Sequence, residues 1–263
     1  MQTITSKDNE LIKHIRKLKD KKYRDESNEY VVEGVKLVEE AVKENAKIKQ
    51  IIVCEDTTRT YEIPTHIMLE IAKYECISVS DKIFNIITQV TNPQGIMAII
   101  EKNAQNAKID YTQDIIVVLD DVQDPGNLGT IMRAAEAAGV TGILMSSDCV
   151  DIYNPKTIRS TMGALYRVPF VVSEDFAGDI ERLKKAGVST YAAHLGATIS
   201  YEGADYKKPC AFMIGNEANG LSDEVAALAD CKILIPMAGQ VESLNAAMAA
   251  TVLMFEAARQ RRN

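Results

Sequence analysis

Ile115-Ile-Val-Val-Leu119 is a run of five apolar residues without a polar interruption. A strand with one face in water alternates apolar and polar residues, whereas an unbroken run needs cover on both faces. This is the setting of an inner strand in a parallel sheet flanked by helices. The rest of the chain fits that setting. Helices are predicted at 128–138, near 154–161, at 177–186 and near 222–228. Strands are predicted at 142–146, near 168–172, at 189–193, 211–214 and 232–235. A long last helix is predicted over about 244–260, with Ala246, Ala247, Ala250, Leu253, Met254 and Ala257 on it. Regular alternation of strand and helix means a parallel α/β sheet with helices on both faces.

The chain ahead of this run reads as a smaller α/β block. Residues 6–24 place Leu11, Ile12, Ile15 and Leu18 on one helical face and Lys/Arg residues on the other. Strands are predicted at Tyr30–Val32, Ile48–Cys54, Ile77–Val79 and Gly95–Ile100, and helices at 34–45, 66–74 and 81–89. Residues 103–113 are polar and unpatterned and read as a linker. The expected division is therefore 1–102, the linker 103–113, and 114–263.

Composition narrows the functional classes. No stretch of the 263 residues is long and apolar enough to suggest a membrane span, and the first residues, Met-Gln-Thr-Ile-Thr-Ser-Lys, do not read as a secretory signal. Cys54, Cys76, Cys149, Cys210 and Cys231 are scattered, without a C-x-x-C pair, as expected for reduced thiols in a cytoplasm. His14, His66 and His194 lie far apart, so no metal site is expected. The net charge of −7 argues against a nucleic-acid partner, but residues 13–24 hold seven Lys/Arg against one acid. Lys13, Arg16, Lys17, Lys21, Lys22 and Arg24 make either a solvated helix face or a phosphate-binding patch, and the chain ends on a second basic run, Arg259-Gln-Arg-Arg262.

Three segments follow predicted strands and run into predicted helices: Asn127-Leu-Gly-Thr-Ile-Met-Arg133, Gly215-Asn-Glu-Ala-Asn-Gly220, and Ile235-Pro-Met-Ala-Gly-Gln-Val-Glu-Ser243-Leu-Asn245. Loops at strand ends are where open α/β sheets bind ligands. Taken singly, each reads as an ordinary capped helix, with Asn127, Ser222 or Ser243 as the cap. The first segment lacks the glycine spacing of a dinucleotide fingerprint and the Gly-Lys-Ser/Thr of a P-loop. Together, Asn127, Arg133, Glu217, Ser243 and Asn245 make a plausible pocket.

In order and spacing the three segments resemble the signature motifs of the SpoU–TrmH family of RNA ribose 2′-O-methyltransferases, within the SPOUT superfamily. The first block is similar to the ribosomal-protein-like RNA-binding domain of many members, through Tyr30-Val-Val-Glu-Gly34. The resemblance implies a C-terminal parallel-sheet domain with a trefoil knot, a homodimer, and a methyl group drawn from S-adenosylmethionine. It implies donor contacts at Gly215, Asn216, Ile235, Met237, Leu244 and His194. It assigns Asn127, Arg133, Glu217, Ser243 and Asn245 to catalysis and favours RNA contact by the basic face. Ribosomal RNA is the first expected target and tRNA the second, because the extra domain is commoner in rRNA-directed relatives.

Methyl transfer needs in-line approach to the sulfonium methyl and loss of the hydroxyl proton. A guanidinium keeps its proton in proteins. Arg133 is therefore expected to clamp the RNA phosphate and orient the ribose, leaving a phosphate oxygen or water to take the proton. Glu217 is expected to orient Arg133 or Asn127, and Arg133 to act across or beside a dimer interface. Two other readings stay open: a nucleotide-dependent enzyme with Asp120–Gly129 as its phosphate loop, and a non-catalytic RNA-binding or ribosome-assembly protein of the same fold.

Overall fold

The structure is a computed structural model and describes residues 3–55, 63–102 and 115–262. In chain order the elements are β1 (Thr3–Ile4), α1 (Glu10–Lys17), α2 (Lys21–Ser27), β2 (Glu29–Glu33), α3 (Val35–Lys43), β3 (Ile48–Cys54), α4 (Thr65–Ile71), β4 (Cys76–Val79), α5 (Asp81–Ile87) and β5 (Ile96–Glu101). Then come β6 (Ile115–Leu119), α6 (Pro125–Ala138), β7 (Gly142–Met145), α7 (Pro155–Thr161), β8 (Phe170–Val172) and α8 (Phe176–Lys185). The last are β9 (Ser189–Ala193), β10 (Ile199–Ser200), β11 (Cys210–Ile214), α9 (Asp223–Leu228), β12 (Cys231–Leu234) and α10 (Ala246–Arg262). The linker expected at 103–113 lies outside the described residues.

The chain divides into two compact units, Met1–Ala104 with Tyr153–Tyr166, and Gln105–Ile152 with Arg167–Asn263. In the first, the sheet order is β1-β4-β3-β5-β2, with β5 antiparallel to both neighbours. Its core gathers Ile12, Ile15 and Leu18 with Ile52, Val79, Phe84 and Met97. Tyr153–Tyr166 groups with this unit rather than with the block that contains it in sequence. The Tyr153 ring is buried 4.7 Å from that of Tyr30, and α7 packs on β2.

The single helix expected over 6–24 is two helices. Asp20 caps α2 by accepting from the Tyr23 N–H, and the Arg24 guanidinium bonds the carbonyls of Leu18 and Lys19 at 2.9 and 2.8 Å. Carbonyls held by a buried cation do not continue the helical ladder. Similarly, α5 stops at Ile87 because Glu33 takes the Thr88 hydroxyl and the Gln89 N–H.

The second unit has one sheet in the order β10-β12-β9-β11-β6-β7-β8, with every neighbouring pair parallel. All five residues of β6 are buried, which answers to the unbroken apolar run. Ile116 and Val118 pack into a cluster with Ile180 and Leu183 of α8 and Ala226 of α9. By strand alternation Val117 and Leu119 point the other way, to the side where α6 and α10 pack. Buried Ala247, Ala250 and Ala257 let α10 approach α6 closely, and each buried large side chain such as Leu253 stabilises the unit by roughly 1.5–3 kcal/mol.

The topology positions the site. From β6 the chain builds outward through β7 and β8, then crosses over and returns with β11 beside β6. Ligands of open α/β sheets bind at the C-terminal strand ends where the order reverses in this way. Here β12, β9, β11 and β6 lie side by side, so their four C-terminal loops share one edge.

Candidate active site

A cavity of about 380 Å³ opens at this edge. It is walled by the loop after β9 (His194, Leu195), the loop after β11 (Gly215 to Leu221) and the loop after β12 (Ile235, Met237, Ser243, Leu244), with Ala246 and Ala249 of α10 beneath. All six residues expected to touch a methyl donor (Gly215, Asn216, Ile235, Met237, Leu244 and His194) line it, as do Glu217 and Ser243.

Gly215 is required by contact. A Cβ there would lie 2.2 Å from Gly220 C and O and from Leu221 N, inside backbone that cannot yield. This proximity belongs to a tight loop in which Asn216 and Gly220 exchange backbone hydrogen bonds at 3.0 and 2.9 Å. Gly220 has φ +69°, a conformation that glycine adopts freely. The Asn216 Oδ1 accepts from the N–H groups of Ala218 and Asn219 at 2.9 and 3.2 Å.

Three loops are then stitched together. Glu217 Oε1 accepts from the Asp124 N–H at 3.0 Å and from the Asn127 side-chain amide at 2.8 Å, and its Oε2 accepts from the Gln123 N–H at 3.1 Å. Asn127 Oδ1 in turn accepts from Asn245 Nδ2 at 3.0 Å. Burial pushes the Glu217 carboxyl up, but the bonds from Asn127 and from the backbone of Asp124 and Gln123 outweigh it and hold it below the usual carboxylate range. Asp120 is pushed the other way, by burial and by the neighbouring Asp121 and Asp148.

Two expected caps are corrected. Asp124, not Asn127, caps α6, with Pro125 just inside the helix, and its carboxylate accepts the Asn127 N–H at 2.8 Å. Asn245, not Ser243, opens α10, accepting from the N–H groups of Ala247 and Met248 at 2.9 and 3.3 Å. Asn127 is thereby freed to face Glu217, and Asn245 both starts its helix and reaches Asn127. Ser222 caps α9 as expected, accepting from the Val225 N–H.

Arg133 is not brought to the cavity. It lies six residues beyond Asn127 on α6, which is ~9 Å along the axis and ~240° around it. It is exposed and does not line the cavity. The sequence also gave no prominence to Gln123, Asp124 or Asp121, although Asp before Pro is a readable helix-start signal.

In the first unit, Lys13 pairs with Glu10 at 2.8 Å, Lys21 with Asp25 at 3.1 Å and Lys22 with Glu26 at 3.9 Å, and Lys17 lies over the Tyr23 ring. These pairs are exposed and weak, so the cations stay available, as does exposed Arg16. Arg24 is a correction. It is 2% exposed and bonded to main-chain carbonyls, so it holds the turn between α1 and α2 and is not offered to RNA. The basic run at the C-terminus is largely spent within the fold. Arg259 pairs with Glu256, and Arg261 bonds the carbonyls of Tyr206 and Lys208.

Among the described residues no cluster of His, Cys, Asp and Glu is arranged to hold a metal ion, and no described helix is long and apolar enough to cross a membrane. The cavity suits a nucleoside-bearing sulfonium donor. Its volume falls in the range of cofactor sites, and its walls mix aliphatic side chains with backbone polar groups.

Residues 114–255 match the SpoU rRNA Methylase family, and residues 9–98 match the MRM3-like substrate binding domain. The chain is 32% identical to the Bacillus subtilis 23S rRNA (guanosine(2553)-2′-O)-methyltransferase RlmP, over 97% of this chain and 98% of that one. It is 30% identical to the Streptomyces viridochromogenes 23S rRNA (uridine(2479)-2′-O)-methyltransferase, over 90% of this chain and 85% of that one. The crystal structure of an AdoMet-bound rRNA methyltransferase from Sinorhizobium meliloti superimposes with a TM-score of 0.84 at 34% identity, covering 98% of this chain and 97% of that one.

Proposed function

The chain belongs to the SpoU rRNA methylase family, and on that premise we propose how its own residues perform the reaction. It transfers a methyl group from S-adenosylmethionine to a ribose 2′-hydroxyl of RNA, with ribosomal RNA as the substrate class. The two relatives act on a guanosine and a uridine, so membership of the family does not fix the base at the modified position.

The observation that carries the reading of the site is the chain of hydrogen bonds Glu217–Asn127–Asn245, which fastens the first motif and the start of α10 to the loop after β11 that walls the cavity. When bound there, the donor supplies an electrophilic methyl group. Gly215, Ile235 and Leu244, largely through main chain, hold it together with Asn216, Met237 and His194. Glu217 does not serve as the base, because three donors already occupy its oxygens and favour its ionised form. It locks Asn127 in place, and Asn127, Ser243 and Asn245 position the ribose. Arg133 clamps the RNA phosphate beside the target nucleotide, and a phosphate oxygen or water takes the proton.

The active form is a homodimer in which Arg133 completes the site of its partner. Its exposed place away from the cavity of its own chain supports this. So do Met248 and Phe255, 54% and 40% exposed and one heptad apart on α10. The trefoil knot is supported by β12 lying between β9 and β10 while the helix after it returns to pack on α6 and β11. Residues 1–102 bind the RNA substrate through Lys13, Arg16, Lys17, Lys21 and Lys22, and 114–263 carry the catalysis. Five free thiols suit a cytoplasmic protein.

The test is transfer of labelled methyl from S-adenosylmethionine to unmodified ribosomal RNA and to tRNA, with the product mapped by mass. One 2′-O-methyl in ribosomal RNA is expected. Transfer to tRNA alone would move the substrate class, and transfer to neither would leave an RNA-binding protein.

A further inference from the structure

Asp121 stands just past the end of β6 in a left-handed backbone conformation, φ +53°, which apart from glycine is adopted most readily by asparagine and aspartate. It touches two neighbouring strand ends. Its N–H donates to the hydroxyl of Ser146, a buried residue just past β7, at 3.0 Å. Its backbone carbonyl and its Oδ2 both accept from the Asn216 side-chain amide, at 3.0 and 3.1 Å, and Oδ1 accepts from the Gln123 amide.

The chemistry of these contacts has one outcome. Both atoms that Asp121 presents to Asn216 are acceptors, so the Asn216 amide must turn its NH₂ toward them. Its carbonyl then faces the opposite way, toward the N–H groups of Ala218 and Asn219, and bends residues 216–220 into the loop that forms one wall of the cavity. Were the amide reversed, its NH₂ would meet two N–H donors and the loop would open.

We propose that Asp121 is a positioning residue for the methyl donor: through Asn216 it fixes the shape of the cavity wall, without itself lining the cavity. This rests on the reading of that cavity as the S-adenosylmethionine site.

Two substitutions separate its roles. Asp121→Gly keeps the left-handed backbone and the backbone acceptor but removes the carboxylate. Asp121→Asn keeps the conformation and an acceptor oxygen. Calorimetry with S-adenosylmethionine should give about a tenfold higher Kd for Asp121→Gly, the scale of one lost hydrogen bond to a charged group, and about wild-type Kd for Asp121→Asn. The KM for RNA and the calorimetric stoichiometry should stay unchanged in both, and a general loss of folding would lower the stoichiometry. Wild-type donor affinity in Asp121→Gly overturns the proposal, as does a loss in Asp121→Asn equal to that in the glycine variant. Should Asp121→Gly not fold, Asp121→Ala takes its place: it also removes the carboxylate, the same raised Kd is expected, and wild-type donor affinity there overturns the proposal. If the wild-type protein itself does not bind S-adenosylmethionine, the reading of the cavity fails instead.

Discussion

Asn127 donates its side-chain amide to Glu217 across 2.8 Å, joining two loops 90 residues apart in sequence. Glu217 alone would be an exposed loop acid. With the N–H groups of Gln123 and Asp124 also bonded to it, the carboxylate becomes the pin that holds the start of α6 against the loop after β11.

Removing the pin should disable catalysis more than folding. Glu217→Ala is expected to lower kcat by about a hundredfold, in the range found when a preorganised polar contact is lost. Because the group is exposed, the stability cost should be only about 1 kcal/mol, below that of a buried charged hydrogen bond. Single-turnover methylation beside urea denaturation measures both. A large loss of stability with unchanged kcat would show that the pin is structural only.

The same carboxylate gives a pH signature. Its folded-state value is lowered, so the stability it contributes is fully present above the unfolded value of about 4.3 and is lost as pH falls through the folded value. Asp120, with its value raised, contributes in the opposite sense, so bulk acid titration mixes the two. Comparison of wild type with Glu217→Gln isolates Glu217. The difference in unfolding free energy should be constant from pH 8 to about pH 6 and narrow toward about pH 3. A difference that widens on acidification would contradict the assignment.

Gly215→Ala should remove donor binding. The added carbon would sit 2.2 Å from the Gly220 carbonyl group and Leu221 N, all main chain, so the loop itself must shift. Overpacking of this kind costs about 1–3 kcal/mol, and here the displaced atoms form the cavity wall. Calorimetry should detect no heat with S-adenosylmethionine, while circular dichroism reports a folded protein with a lowered Tm. Unchanged donor affinity would mean that the loop is looser than its geometry indicates.

The parallel sheet and the three loops were legible in sequence because their signals are local. The unbroken run Ile115–Leu119 marks a buried strand, and the loop motifs keep fixed spacing. What stayed hidden depends on partners distant in sequence. Nothing near Arg24 indicates that it caps carbonyls at Leu18 and Lys19, since a buried arginine and a surface one look alike in a basic run. Thr3–Ile4 and Ile199–Ser200 are too short to carry alternation and exist only through pairing with β4 and β12. By residue type Asn127 and Ser243 read as caps, but Asp124 and Asn245 hold those places because the backbone turns two or three residues away from the position that type alone suggests.

Arg133→Lys tests the phosphate clamp. Lysine keeps the charge but loses the planar fork that grips two phosphate oxygens at once. Turnover should fall by about a hundredfold, with donor affinity unchanged because the proposed partner of Arg133 is the RNA phosphate and not the donor. Full activity in this variant would rule out a bidentate role. Mixing inactive Arg133→Ala protomers with inactive Gly215→Ala protomers should restore part of the activity if each site is built from two chains. No recovery in mixed dimers would place the arginine in its own chain's site.

The basic face of α1 and α2 separates into contacts and scaffold. Lys17, Lys21 and Lys22 are exposed, and each phosphate that such a cation neutralises releases bound counterions. Reversing all three to glutamate should weaken RNA binding and make log K less steep in log salt by up to about 3 if all three meet phosphate. Thermal stability should hold, since the pairs they make with Asp25 and Glu26 are exposed. Arg24→Ala should behave in the opposite way. It strips two carbonyls of their buried partner, at about 1–3 kcal/mol, and lowers Tm without changing the salt slope of the protein that remains folded. Filter binding across a salt series and a thermal melt on the same two proteins distinguish the roles. A salt slope unchanged by the triple reversal would remove this face from the RNA interface, and a slope changed by Arg24→Ala alone would restore Arg24 to it.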